Sequence, residues 1–274
     1  MEFRQAMTQT LAKMMQEDEK ICILDADLAK PNGTTPLYEK FPDRCFDVGI
    51  AEANMIGIAA GLSAYGYKPI AFTFAPFATR RVCDQIAISV AYAKQNVKIV
   101  GTDPGITAEL NGGTHMSFED IAVVRSIPDM TIYDAVDDIQ LSQAIEQSMK
   151  LDTPVYIRMP RKNAQPVFDK NYKFNLFKAD IIEEGTDVTI IATGIMVAEA
   201  KKAVESLMNL YCDIYEYSEV TEDSITRHKR QIVHSNVPCR ISYATGLFNG
   251  KLKSGQEKNS DGVSLQGTTV KMFF

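Results

Sequence analysis

Residues 47–61 read Asp-Val-Gly-Ile-Ala-Glu-Ala-Asn-Met-Ile-Gly-Ile-Ala-Ala-Gly, so the carboxylate of Glu52 comes directly before a strongly apolar run. Residues 54–64 are apolar on nearly every side, a pattern that predicts a helix buried all round. Gly57 and Gly61 lower the helix propensity of this run, and glycine is favoured where a second backbone or a flat ligand must come close. The stretch therefore predicts a buried helix with one acid at its start.

Two interpretations of Glu52 are open from the residues alone. A carboxylate that enters such a helix leaves water, and its charged form is disfavoured unless a nearby group needs it. In the first interpretation the acid is structural and is held by the helix dipole and the backbone N–H groups of the first turn. In the second it takes part in chemistry at the start of the helix.

Strands and helices alternate on both sides of this helix. The predicted strands are 21–27, 45–49, 69–74, 97–102, 130–133 and 154–158, and the predicted helices include 2–16, 54–64, 78–92 and 137–150. Such alternation indicates right-handed crossovers and an α/β fold with a doubly wound, mostly parallel sheet covered on both faces.

Chemistry in such sheets gathers at the carboxyl ends of the strands. The residues that follow those strand ends here are Asp27, Glu52, Phe74 with Phe77, residues 103–115, and Arg158 with Arg161. The sequence therefore predicts a site at this edge of the sheet.

The chain divides into two predicted domains, 1–162 and 180–274, joined by a linker at 163–179. The second begins with a strand at 187–194, a helix at 197–210 and a strand at 212–217. After about residue 217 the periodic pattern ends, so we predict a smaller, truncated α/β domain with an atypical tail. His228 and His234 lie in this tail without ligand-like spacing and are interpreted as surface histidines.

Composition bounds the class of protein. The net charge of −6 argues against a nucleic-acid or anionic-membrane surface, and Lys68 and Pro69 interrupt the most apolar stretch. The five cysteines are scattered without a C-x-x-C pair, as is typical of reduced thiols in a cytoplasmic protein. We therefore expect a cytoplasmic protein without nucleic-acid or membrane partners.

Several spaced stretches carry a resemblance to a known family. They are 47–61, Phe-Thr-Phe-Ala-Pro-Phe-Ala-Thr-Arg-Arg at 72–81, Asn-Gly-Gly-Thr-His at 111–115 and Ile-Arg-Met-Pro-Arg at 157–161. In this order they resemble the pyrimidine-binding half of transketolases, particularly the two-gene kind in which the enzyme is split between chains. The resemblance covers about the first three quarters of the chain. It implies a thiamine-diphosphate-dependent transferase that moves a two-carbon ketol unit between sugar phosphates or close relatives.

The resemblance gives three residues a role toward the cofactor. The family carboxylate that matches Glu52 hydrogen-bonds N1′ of the aminopyrimidine and favours the tautomer that takes the C2 proton. Phe77 matches the position that stacks on the pyrimidine, and Phe74 would wall it. Asp27 is a further predicted cofactor-binding residue at the same edge. As residues alone, the two phenylalanines suit a plain core.

The substrate residues that the resemblance implies are His115, Arg161, Asn111 and Asp103. His115 resembles a histidine that contacts the reacting oxygens and shuttles protons, and Arg161 matches an arginine that grips the sugar phosphate. Without the resemblance, these two suit a satisfied loop histidine and a solvated surface base. Asn111 replaces a usual Asp, and Asp103 replaces a phosphate contact. The other departures from the family pattern are Pro31 and Arg80.

The Mg²⁺ that holds the diphosphate is expected on another chain. The family binds it through Gly-Asp-Gly and a later Asn, whereas the only Asp-Gly here is at 261–262 in the irregular tail. No metal-binding residue is therefore predicted in this chain. The implied partner is an N-terminal, diphosphate-binding transketolase subunit in a two-fold α₂β₂ heterotetramer.

Two alternatives remain beside this reading. The β-type E1 subunit of a 2-oxo acid dehydrogenase uses the same glutamate, although the loop at 114–115 favours ketol transfer. The second alternative is that the chain is not an enzyme subunit but a non-catalytic, truncated remnant. Such a remnant would not unfold as a cooperative unit.

Overall fold

The computed structural model describes residues 1–162, 165–185, 189–216 and 271–273. The chain forms two compact units, Met1–Phe177 and Lys178–Phe274. Within the described residues, no helix is both long enough and apolar enough to cross a bilayer. His228, His234 and the Asp-Gly pair at 261–262 lie outside the described residues.

The first unit alternates helices with strands. Its helices are α1 (Phe3–Glu17), α2 (Ala29–Asn32), α3 (Thr35–Lys40), α4 (Glu52–Ala64), α5 (Ala75–Ala78), α6 (Cys83–Gln85), α7 (Asp120–Arg125) and α8 (Asp138–Ser148). Its strands are β1 (Ile21–Asp25), β2 (Cys45–Asp47), β3 (Lys68–Phe74), β4 (Lys98–Thr102), β5 (Thr131–Asp134) and β6 (Val155–Met159). Short 3-10 segments cover Pro42–Arg44, Arg80–Val82 and Gly105–Asn111, and a π-helix covers Ile86–Tyr92.

The six strands form one parallel sheet in the order β2-β1-β3-β4-β6-β5. Ile23 of β1 pairs with Cys45 on one side and with Ile70 on the other. After β1 the chain first adds a strand on one side and then on the other, so the winding reverses between β1 and β3. A crevice opens at the carboxyl ends of the strands where the winding reverses. The predicted doubly wound, mostly parallel sheet is confirmed.

Alternate residues of the strands supply two separate cores, one on each face of the sheet. The face covered by α1 and α8 buries a cluster that includes Phe3, Met7, Leu11, Met15, Ile23, Ile70, Phe72, Leu141, Ile145 and Ile157. The face covered by α4 and the π-helix buries Leu24, Met55, Ile56, Ala59, Ala71, Val82, Ile86, Ile99 and Tyr156 among others.

Helix α4 differs from its prediction of burial all round. One face is buried through Met55, Ile56 and Ala59, but Gly57 and Gly61 are exposed on the other. A Cβ added at either glycine would meet no atom within 4 Å. The apolar residues therefore occupy both faces of α4, and only one of these faces is buried in the structure.

The predicted helix 78–92 is broken into shorter pieces. Thr79 leaves helical geometry (φ −129°, ψ −84°), and its Oγ1 donates to Ala75 O at 2.7 Å. The hydroxyl thus ends α5 by satisfying a carbonyl that the next turn would have used. The break places Phe77, Arg80 and Arg81 at the carboxyl edge of the sheet, instead of along one regular helix.

Within the predicted linker, 163–179, the described residues from 165 to 177 belong to the first unit. Gln143 Nε2 donates to Tyr172 O at 2.9 Å, and Gln147 Nε2 donates to Phe174 O at 2.6 Å. Phe174 also packs against the α1–α8 core. Backbone carbonyls and the ring of Phe174 thus anchor a segment whose composition resembles a free linker.

The second unit contains β7 (Ile181–Glu184), β8 (Ile190–Ile191), α9 (Met196–Glu216) and β9 (Lys271–Phe273). Its strands form a sheet in the order β7-β9-β8, with β9 antiparallel to β7 and parallel to β8. The predicted strand at 212–217 is wrong, because α9 continues to Glu216. No Gly or Pro interrupts 196–216, and Val197, Val204, Tyr211 and Ile214 keep helical spacing.

A buried polar network joins the carboxyl ends of β1 and β4. Asp25 accepts hydrogen bonds from Asn32 Nδ2 at 3.0 Å and from Thr34 Oγ1 at 2.7 Å. Thr102 Oγ1 donates to Asn32 Oδ1 at 2.9 Å, so Asn32 bridges the two strands across β3. Burial raises the pKa of Asp25 to about 6, against the lowering effect of these donors.

Asp25 gives the fold a predictable pH dependence. Because its pKa is higher in the folded chain than its ordinary value of 3.8, the folded state binds more protons between these pH values. The free energy of unfolding should therefore fall as pH rises from about 4 through 6. Asp25→Asn stays neutral, so its loss of stability over this range should be smaller. Urea unfolding at pH 4, 5, 6 and 7 measures the difference, with exposed Asp43→Asn as the control. Parallel curves for Asp25→Asn and wild type would contradict the prediction.

Candidate functional site

Glu52 is the first residue of α4 and is only 4% exposed. The turn before it is held by Asp47, whose Oδ1 accepts from the backbone N–H groups of Asp27 at 3.0 Å and Gly49 at 2.8 Å. Gly49 has a φ of +73°, which glycine adopts without strain. The stretch 47–61 thus turns sharply after β2 and places Glu52 at the carboxyl edge of the sheet.

Arg81 is the group that contacts Glu52. Its Nη1 donates to Glu52 Oε1 at 2.7 Å, and its Cζ lies 3.8 Å from the centre of the Phe77 ring. The Arg81 side chain is 44% exposed, whereas Glu52 is buried. The flat, cationic guanidinium of Arg81 therefore stacks on the Phe77 ring and donates from its edge to the carboxylate of Glu52.

Two phenylalanines and a histidine form an aromatic cluster beside this pair. The centres of the Phe74 and Phe77 rings are 6.2 Å apart, and the His115 ring lies 5.5 Å from the first and 5.2 Å from the second. All three contacts are edge-to-face, the arrangement that aromatic quadrupoles favour. Phe74 ends β3 and Phe77 lies in α5, so the strand and the helix after it carry two walls of the cluster.

The loop that carries His115 is held in place by Arg80. Arg80 Nη1 donates to Glu119 Oε1 at 2.8 Å, and its Nη2 donates to Thr114 O at 3.1 Å. Thr114 Oγ1 lies 2.9 Å from His115 Nδ1, which fixes the orientation of the ring. Arg80, a departure from the family pattern, therefore positions the histidine.

Arg161 and Asp103 form a largely buried ion pair beside Phe74. Asp103 Oδ1 accepts from the backbone N–H of Arg161 at 2.9 Å, and its Oδ2 accepts from Arg161 Nε. Arg161 Cζ lies 4.9 Å from the centre of the Phe74 ring. Burial raises the pKa of Asp103, and the charge of Arg161 opposes that rise.

The structure brings six of the eight predicted site residues into one chain of contacts, which are Glu52, Phe74, Phe77, His115, Arg161 and Asp103. Asp27 and Asn111 are exposed, and neither takes part in the contacts that join this group. Asp27 has a φ of +58° and contributes its backbone N–H to the turn before α4. Arg158, which lies in β6 three residues before Arg161, instead pairs with Asp120 at 2.7 Å and Asp134 at 3.1 Å.

The aromatic pocket suits the aminopyrimidine that the resemblance implies. The guanidinium of Arg81 is flat, stacks on Phe77 and donates to Glu52, and an aminopyrimidine ring protonated at N1′ can make the same two contacts. It thus serves as a stand-in for the ring, and the residues fit that part of thiamine diphosphate. Among the described residues, no group of three His, Cys, Asp or Glu side chains is arranged to hold a metal ion.

The sequence pattern does not by itself indicate a role for Arg81. It lies within the resembling stretch 72–81, but its partner is 29 residues earlier in the chain. The feature of the sequence that could have indicated its role is its position four residues after Phe77, in the segment that follows β3. Only the break at Thr79 places the guanidinium over the ring.

Comparison with known proteins gives one matching family and several similar chains. A family model described as "Transketolase, pyrimidine binding domain" matches residues 1–166. The 6-deoxy-6-sulfo-D-fructose transketolase subunit SqwH of Clostridium sp. (strain MSTE9) is 53% identical over 204 residues, which are 74% of this chain and 63% of that protein. A putative transketolase C-terminal section of Methanocaldococcus jannaschii is 39% identical over 206 residues, covering 74% of this chain and 65% of the other.

A solved structure described as "Split gene transketolase, inactive beta4 tetramer" is also similar. It is 38% identical, superposes with a TM-score of 0.69, and the match covers 76% of this chain and 68% of that chain. The chain spans less than two thirds of the length of the two curated relatives.

Proposed function

The chain belongs to the transketolase family, through its pyrimidine-binding domain, and we propose that it is the pyrimidine-binding subunit of a split transketolase. It transfers a two-carbon ketol unit between sugar phosphates or close relatives, in the carbohydrate metabolism of the cytoplasm. The observation that carries this proposal is the buried carboxylate of Glu52, facing a flat donor that is stacked on Phe77.

Thiamine diphosphate, when bound, supplies the carbanion chemistry that breaks and forms the carbon–carbon bond. Glu52 would hold a proton toward N1′ of the aminopyrimidine, and its low exposure would limit competition by water for that proton. Phe77 supplies the face on which the ring lies, and Phe74 closes its side. Glu52 and His115 are the catalytic residues of the proposal.

Arg81 has to leave Glu52 before a ring can take its place. Its side chain is nearly half exposed, so it can turn toward solvent, and a ring that then contacts Glu52 would take over as partner of the buried carboxylate. The contact therefore holds the carboxylate in a binding-ready position without closing the pocket permanently.

His115 and Arg161 serve the substrate. The His115 ring lies against both phenylalanines, beside the proposed position of the aminopyrimidine, and in this proposal it takes up and returns protons at the reacting oxygens of the substrate. Arg161 is fixed by Asp103 and lies over Phe74, and its guanidinium is suited to a terminal anion. Asp27 and Asn111 remain proposed contacts, to the cofactor and the substrate respectively.

A second chain is proposed to supply the diphosphate and Mg²⁺ half of the site. Support comes from the uncovered apolar face of α4, which begins at Glu52 and exposes Gly57, Ile58 and Gly61. A partner packed on this face would enclose the start of the helix and the site beside it. We propose a two-fold heterotetramer with an N-terminal, diphosphate-binding transketolase subunit.

The test is reconstitution with that subunit from the same cells. The isolated chain is expected to show no ketol transfer with thiamine diphosphate and Mg²⁺, whereas the mixture should form a heterotetramer by native mass measurement and turn over a ketose. Turnover by the isolated chain would contradict the proposed partner. Oxidation of a 2-oxo acid through a lipoyl carrier, without ketol transfer, would favour the E1 β-type subunit. An unfolded, unassembled chain would indicate a non-catalytic remnant.

A further inference from the structure

Four basic side chains in or beside the candidate site are each paired with an acid. The pairs are Arg161 with Asp103, Arg81 with Glu52, Arg80 with Glu119 and Lys162 with Glu109. The formal charge of each pair is zero, so these groups offer no excess positive charge. A site for a doubly charged anion ordinarily has such an excess.

The pair of Arg161 and Asp103 is the most enclosed of the four. Asp103 is 3% exposed, and the side chain of Arg161 is 16% exposed. Both carboxylate oxygens of Asp103 accept from the same residue, one from its backbone N–H and one from its Nε. Asp103 also has a φ of +51°, a conformation that only a few residue types adopt readily. The backbone conformation and the two hydrogen bonds therefore fix the carboxylate of Asp103 beside the guanidinium of Arg161.

The remaining donors of Arg161 are its two Nη groups. Within the described part of the chain, neither has a hydrogen-bond partner, and the guanidinium lies over the Phe74 ring, which His115 also contacts. An anion that binds these donors comes close to the carboxylate of Asp103. Each additional negative charge on that anion adds repulsion, and low exposure weakens the screening by water.

A sugar phosphate and a sugar sulfonate differ in this charge. A phosphate monoester carries between one and two negative charges near neutral pH, since its second pKa is about 6. A sulfonate carries a single charge at any pH in this range, with the same three oxygens to accept hydrogen bonds. Asp103 therefore penalises the phosphate more strongly than the sulfonate.

We propose that Asp103 is a specificity-determining residue that directs the site toward a ketose with a singly charged terminal sulfonate and against the phosphate dianion. This inference rests on the proposed ketol transfer and names the class of its donor. Asp103 acts through Arg161, whose charge it balances, and is therefore a positioning residue that does not take part in the bond-making steps.

The experiment compares three donors in the reconstituted complex. They are 6-deoxy-6-sulfofructose, fructose 6-phosphate and uncharged erythrulose, and kcat/KM is measured for each. The wild-type complex should prefer the sulfonate to the phosphate by about tenfold or more. Asp103→Asn should lower this ratio by about tenfold or more, mainly through KM. The kcat/KM for erythrulose in the same variant is the reference that corrects for changes unrelated to the terminal anion.

A second variant and a control separate charge from geometry. Asp103→Gly also tolerates the positive φ and removes the carboxylate without placing an amide opposite Arg161 Nε, so it should shift the ratio in the same direction. Asp43→Asn, an exposed change at the amino end of β2, should leave the ratio unchanged. Raising the pH from 6 to 8 should weaken the phosphate donor more than the sulfonate in wild type, and less so in Asp103→Asn.

The outcomes distinguish this inference from the proposed function. A wild-type complex that prefers the phosphate, or a ratio that neither variant changes, overturns the role of Asp103 while leaving ketol transfer intact. A complex that turns over none of the three donors overturns the ketol transfer itself, and this inference with it.

Discussion

Glu52→Gln is expected to reduce ketol transfer by the reconstituted complex by about 10²- to 10⁴-fold in kcat, the usual range for loss of a proton-transfer group. Glutamine keeps the size of the side chain but cannot share a proton with a ring nitrogen as a carboxylate does. Because position 52 is buried, a water molecule cannot easily enter the variant and take over the proton transfer of the missing carboxylate. Initial rates with saturating thiamine diphosphate and ketose measure the effect.

The fold should survive this change. Glutamine is neutral, so a buried position at the start of α4 tolerates it, and only the ion pair with half-exposed Arg81 is lost. Thermal unfolding and native mass measurement should match wild type. Glu39→Gln makes the same chemical change at an exposed position of α3 and should leave the rate unaffected. A rate for Glu52→Gln within a few fold of wild type would remove Glu52 from its proposed role.

Much of the fold could be predicted from the sequence because its strands are short, apolar and separated by regular helices. Strands such as 97–102 and 154–158 lie within a residue or two of the observed β4 and β6. The exposed face of α4 could not be predicted. An apolar helix face looks the same in the sequence whether it is buried by its own chain or by a partner chain. The pattern therefore predicts that the face is buried but does not show which chain buries it.

The candidate site was predictable where the topology alone brings residues together. Glu52, Phe74 and Arg161 each follow a strand of one parallel sheet, so their convergence follows from the winding. Contacts that depend on side-chain direction were not predictable. Arg81 reaches Glu52 only because Thr79 breaks the helix, and Asp103 contacts Arg161 from 58 residues away.

Gly101→Ala is expected to destabilise the first unit strongly, although it adds one methyl group. A Cβ at this position of β4 would lie 2.4 Å from Tyr156 Oη and 2.7 Å from its Cε2. Tyr156 is completely buried, and its hydroxyl donates to Asp120 at 3.0 Å, so the ring cannot move aside without breaking that bond. Overpacking of this kind costs about 1–3 kcal/mol, which corresponds to a lower unfolding midpoint by roughly 2–10 °C. Circular dichroism during heating measures it.

Gly61→Ala provides the matched control, since a Cβ there meets no atom within 4 Å and alanine favours a helix. In the isolated chain its midpoint should equal or exceed that of wild type. A double variant tests the cause directly: Tyr156→Phe removes the closest atom, so its effect combined with Gly101→Ala should be smaller than the sum of the two single effects. Additive effects, or a Gly101→Ala midpoint no lower than that of the control, would show that Tyr156 does not require glycine beside it.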